Sequence, residues 1–61
     1  MNKADKKLAM SGTIQGMLLA QEMIERAKNR RELMLAESMY HAFWALELLY
    51  KDAGIEPEGR Y

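Results

Sequence analysis

The residues in this chain that could do chemistry are few. His41 is the single imidazole, cysteine is absent, and no serine stands with His41 in a nucleophile arrangement. Glu22, Glu25, Glu32, Glu37 and Glu47 sit where solvated or ion-paired helix carboxylates are expected. A di-iron pattern would need a glutamate three residues before the histidine, and Ser38 stands there. Phosphate loops and dinucleotide fingerprints are absent. No enzyme chemistry, metal or cofactor is expected, and binding is the remaining kind of function.

Two groups could bind. Arg26, Lys28, Arg30 and Arg31 place four cations within six positions. Arginine forks match phosphate oxygens, and in an oligomer such clusters could converge. Within a single chain the commoner reason for such cations is the dipole of a helix C-terminus, which favours them. Tyr40, His41, Phe43 and Trp44 form an aromatic group. Rings of this kind pack cores, anchor partner interfaces or stack on bases. The six methionines suit adaptable packing and carry little more information.

Something must position these groups, and the spacing points to two helices. The first is expected over about residues 3–28, with Ser11 or Thr13 as alternative caps for a later start. Met10, Ile14, Met17, Gln21 and Ile24 recur at 4-3-4-3 spacing and form one seam. Leu18, Leu19 and Met23 lie off it. Gly12, Gly16 and Ala20 form a small-residue row that permits close approach of a neighbouring backbone. Residues 28–31 are the expected turn, with Asn29 tolerant of left-handed geometry. A single helix running through this segment is the alternative.

The second helix is expected over about residues 31–53. Leu35, Met39, Ala42, Leu46, Leu49 and Ala53 give a 4-3-4-3-4 seam. Leu33, Tyr40, Trp44 and Leu48 project away from that seam. Gly54 stops the helix, with Pro57 three residues on. Residues 54–61 read as a short loose tail. Glu22 with Arg26, and Glu47 with Lys51, are i,i+4 pairs in the favourable order.

Size and charge then bear on assembly. A domain of 61 residues buries only about 60% of its unfolded surface, and without cysteine it has no disulfide to help. Self-association is the remaining support. Residues 1–31 carry seven Lys/Arg and three Asp/Glu, and residues 32–61 carry two and six. Halves of +4 and −4 favour folding back as an antiparallel hairpin and disfavour a simple polyanion binder. The expected fold is all-α, an antiparallel two-helix hairpin completing a four-helix bundle or larger homo-oligomer. Met10, Ile14, Met17, Ile24, Leu35, Met39, Leu46 and Leu49 are the expected oligomer contacts. No stretch is long and apolar enough to span a bilayer, and a cytoplasmic location is expected.

The segment from Asn29 to Ala45 resembles the second helix of the phage helical-hairpin proteins that sequester cyclic-nucleotide immune signals, the anti-CBASS and anti-Thoeris sponges. Arg31-Glu32, Leu35-Ala36 and Phe43-Trp44-Ala45 are similar to that family's Arg-Glu, Leu-Ala and Met-Trp-Ala steps. Tyr40-His41 stands where an acidic pair is usual. The resemblance implies a small phage regulator with anti-defence activity, with Arg30, Arg31 and Trp44 as candidate ligand contacts.

Three functions therefore stand open. The first is a homo-oligomer that inhibits a host protein by occupying its surface. The second is a cyclic-nucleotide sponge, with arginines from neighbouring hairpins gripping phosphates and Trp44 or Tyr40 stacking on a base; Arg26, Lys28, Arg30, Arg31, Tyr40, His41 and Trp44 are the candidate ligand or partner contacts. The third is an RNA- or DNA-binding bundle, which the neutral net charge disfavours.

Overall fold

A computed structural model describes residues 2–57. Among them are two helices, α1 from Lys3 to Arg26 and α2 from Arg30 to Asp52, packed as a hairpin about 40 × 20 × 15 Å. Neither helix is long and apolar enough to cross a membrane.

Both helices begin with the same device. Asn2 caps α1, its Oδ1 accepting from the Asp5 amide at 2.8 Å. Asn29 caps α2, its Oδ1 accepting from the Glu32 amide at 2.9 Å. Glu32 reaches back, and its Oε1 accepts from the Lys28 amide at 2.9 Å. This is a reciprocal capping box displaced by one residue: it satisfies the Glu32 amide, which the helix start would leave unpaired, and holds the Lys28 amide just before the cap. The turn expected at 28–31 therefore lies slightly earlier, at Ala27–Asn29, and the single continuous helix is not adopted. Ala27 leaves helical geometry at ψ 130°, and Asn29 is extended at φ −151°, so it starts α2 rather than closing α1 in a left-handed conformation. Ser11 and Thr13 lie inside α1, whose N-cap is Asn2. Thr13 is buried, and its hydroxyl donates to the Ala9 carbonyl at 2.9 Å.

The end of α2 follows the sequence. Gly54 takes φ +76°, its amide donates to the Lys51 carbonyl at 2.9 Å, and the Ile55 amide donates to the Tyr50 carbonyl at 3.0 Å. That bond pair is the Schellman closure, and glycine supplies the positive φ without a Cβ penalty. The loose tail expected from residue 54 lies outside the described residues beyond Pro57. Of the two i,i+4 pairs, Glu47–Lys51 closes at 3.3 Å.

The contact between the helices is built from small residues against large ones. Met10 is 1% exposed, and Ala20 and Ala36 are 0% exposed. A Cβ placed on Gly16 would stand 2.8 Å from the Phe43 ring, so the ring already occupies the space that glycine leaves. This fixes which face of α2 turns inward. Leu33, Ala36, Tyr40, Phe43, Glu47 and Tyr50 recur at 3-4-3-4-3 spacing and are all buried or half-buried. Of the expected seam, Leu35, Ala42, Leu46, Leu49 and Ala53 face solvent instead, and Met39 is half-buried. Tyr40 and Leu33, expected to point away from the hairpin, point into it. The physical reason is size: the flat stretch of Thr13, Gly16 and Ala20 accepts Ala36 and the Phe43 ring, whereas a row of leucines would hold the helices apart.

On α1 the expected seam turns by a fraction of a turn. Met10 is buried, Ile14, Met17 and Ile24 are half-buried, and Gln21 is exposed. Met10 therefore cannot serve as an oligomer contact, because its surface is already covered within the chain. The small-residue row divides too: Gly16 and Ala20 meet α2, while Gly12 has nothing within 4 Å of its Cβ position.

Coupling between Gly16 and Phe43 gives a direct check. Gly16→Ala should gain about 1 kcal/mol of helix propensity when Phe43 is also Ala. In the parental background displacement of the ring should offset that gain, giving a coupling of roughly 1–2 kcal/mol in a double-mutant denaturation cycle. Additive effects would mean that the ring does not pack on Gly16.

Candidate functional site

The hairpin leaves two apolar surfaces uncovered, on opposite sides. One joins the helices along their length. Near the turn, Leu19, Met23 and Ala27 of α1 line a shallow groove with Leu35 of α2, and Glu22, Arg26 and Glu32 edge it. Helical spacing carries this surface on through Gly12 and Leu8 on α1 and through Ala42, Leu46 and Leu49 on α2. Leu8 and Leu49 are the most exposed of its large side chains, at 63% and 64%.

The other surface is aromatic. Trp44 is 47% exposed, and Leu48 and Leu18 are exposed beside it on the same edge of the hairpin by helical position. His41 links Tyr40 and Trp44 through edge-on ring contacts at centroid distances of 5.8 and 6.4 Å. Tyr40 is half-buried, Phe43 packs on Gly16, and Trp44 with His41 face out. The four aromatics read as one group in sequence therefore divide between core and surface, because positions 40 and 43 point at α1 and positions 41 and 44 do not.

The turn cations divide as well. Arg26 lies in the groove with Glu22 and Glu32. Arg30 and Arg31 line an adjoining shallow surface on α2 with Met34, Ser38 and Leu35, the last shared with the groove. Lys28 is exposed in the turn and gives its amide to Glu32. The four cations do not converge on one point within a chain. Trp44 lies fourteen positions beyond Arg30 on one helix, or roughly 21 Å at 1.5 Å per residue. A single nucleotide held by both would need arginines from a neighbouring copy.

A second set of cations lies at the open end of the hairpin. Lys3, Lys6 and Lys7 line a surface with Ala53, Gly54, Ile55 and Glu56, beside the last carbonyls of α2. Lysines there complement the negative end of the α2 dipole. Among the described residues no group of three His, Asp or Glu side chains could hold a metal ion. No buried side-chain polar atom among them lacks a hydrogen-bond partner.

Sequence reasoning passed over Leu8, Met34 and the continuity of Leu19 and Met23 with Leu35. The available signal was the spacing of Leu8, Gly12, Leu19 and Met23 at 4-7-4, a second stripe on α1 beside the hairpin seam. Comparison with family models, with curated proteins and with solved structures found no match.

Proposed function

We propose that the chain is a non-enzymatic binding protein, a small helical homo-oligomer that regulates or inhibits a host protein by occupying its surface. The observation that carries this reading is the half-exposed Trp44, set with His41, Leu48 and Leu18 on one edge of a hairpin whose opposite side is also apolar. A hairpin alone has no use for two such surfaces. Exposed tryptophans ringed by smaller apolar groups are the usual anchors of protein interfaces. The resemblance to phage hairpin regulators supports the setting.

A partner protein is favoured over a nucleotide because the aromatic edge and the arginines stand apart within the chain. It is favoured over nucleic acid because Arg26 shares its groove with two carboxylates. Retention of a host protein by the immobilised chain tests the proposal, with a Trp44→Ala chain as control. Retention that disappears with Trp44 supports it. A chain that retains no protein, or retains the same protein equally without Trp44, contradicts it.

A further inference from the structure

The broad aliphatic surface opposite Trp44 is, we infer, where a second copy of this chain sits, so that two hairpins form a four-helix bundle with both Trp44 edges outward. This rests on the homo-oligomer reading above and assigns it a face and an occupant.

The first argument is area. The accessible surface is 4882 Å² for a chain of 7.1 kDa. Folded monomers of that mass expose roughly 4,100 Å² by the general scaling of surface with mass. The excess is roughly 800 Å², about what one partner contributes to a protein–protein interface of standard size. An elongated hairpin of 40 × 20 × 15 Å exposes more surface than a compact fold of its mass, and one interface of standard size would bring it to the usual value.

The second argument is the shape and composition of the face. Leu8, Leu19 and Met23 on one helix and Leu35, Leu46 and Leu49 on the other make a strip that runs the length of the hairpin. A strip of that length matches another two-helix layer, which is what a second hairpin presents. Helix pairs stacked at about 20° bury such strips in four-helix bundles.

The third argument is Gly12. A glycine inside a helix costs about 1 kcal/mol against alanine. Gly16 has an occupant for the space it leaves, the Phe43 ring, whereas Gly12 has none within the chain. It lies in the aliphatic strip between Leu8 and Leu19, where a helix of a second copy could approach the backbone closely. The aromatic edge has no comparable strip on α1, where Leu18 stands beside Ser11, Gln21 and Glu25. It is the poorer candidate for a symmetric helical layer.

Solution mass by light scattering, with helicity followed by circular dichroism, tests the inference on three full-length chains. The parent should be a dimer, dissociating only on dilution. Leu49→Glu should weaken the dimer by roughly a hundredfold or more, because the added carboxylate must be stripped of water in the interface. Leu48→Glu, on the opposite edge, should leave the dimer within a few-fold of the parent. If Leu49→Glu loses helicity together with mass while Leu48→Glu keeps both, the inference still stands. In the single hairpin Leu49 is 64% exposed and a glutamate in the last turn of α2 costs only about 1 kcal/mol through the helix dipole, so a complete loss of helicity requires that another copy cover the site. A dimer insensitive to Leu49→Glu, or one broken by Leu48→Glu instead, overturns the face assignment and leaves self-association intact. A parent that is monomeric at every concentration overturns both.

Discussion

Met10→Ala should cost about 2–5 kcal/mol, the range for removing a large apolar side chain from a closed site. Met10 is the largest side chain that is fully buried, at 1% exposure, and it sits at the half of the hairpin far from the turn. A chain of 61 residues has a total stability of only about 3–9 kcal/mol. The substitution should therefore remove most of the helical signal at 25 °C. Denaturant titration at one fixed protein concentration measures it, since self-association would otherwise alter the apparent stability. A loss below about 1 kcal/mol would place Met10 outside any packed core and would contradict the observed register of the helices.

The second large effect is on binding. Trp44→Ala should weaken the partner complex by 2 kcal/mol or more, roughly thirtyfold, as truncation of a central aromatic anchor does. Its effect on folding should stay near 1 kcal/mol, well below the 3–5 kcal/mol of a fully buried ring. The ring is 47% exposed and meets His41 only edge-on, so truncation leaves little cavity. Trp44 is the sole tryptophan, so its emission in the parent should shift to the blue when the partner binds. Loss of stability comparable with that of Met10→Ala, or undiminished binding, would show that the aromatic edge is not the contact surface.

These two residues illustrate what the sequence made legible. Period and punctuation gave two helices and a hairpin. Gly54 stops α2 as its chemistry predicts, whereas Asn29, expected to close α1 in left-handed geometry, instead caps α2 through the Asn-x-x-Glu step with Glu32. The facing of α2 was not legible from spacing. Its leucine row Leu35, Leu46, Leu49 and its mixed row Ala36, Tyr40, Phe43 both recur at helical period, and the leucine row is the more apolar. Hydrophobicity alone ranks it as the hairpin seam. The helices instead choose the row whose sizes complement Gly16 and Ala20, a choice that depends on the register between two segments remote in sequence. Small residues opposite a ring permit closer packing than leucines opposite leucines.

The candidate site was legible in part for the same reason. Trp44 and His41 remain at the surface, while Tyr40 and Phe43 belong to the row turned toward α1. The arginines close in sequence divide because Arg26 ends α1 while Arg30 and Arg31 open α2 on the far side of the turn. Arg26 then lines the groove, and Arg30 and Arg31 the surface adjoining it. The leucines read as an oligomer seam stay exposed in the single hairpin at Leu35, Leu46 and Leu49. They are the surface that a second copy would cover.

The most direct measurement is the mass of the unmodified chain in solution across a wide concentration range, paired with its thermal melt at each concentration. A mass near twice 7.1 kDa, with a melting temperature that rises with concentration, is the result the two-hairpin bundle predicts. A well-folded species of 7.1 kDa whose melting temperature does not change with concentration would contradict it.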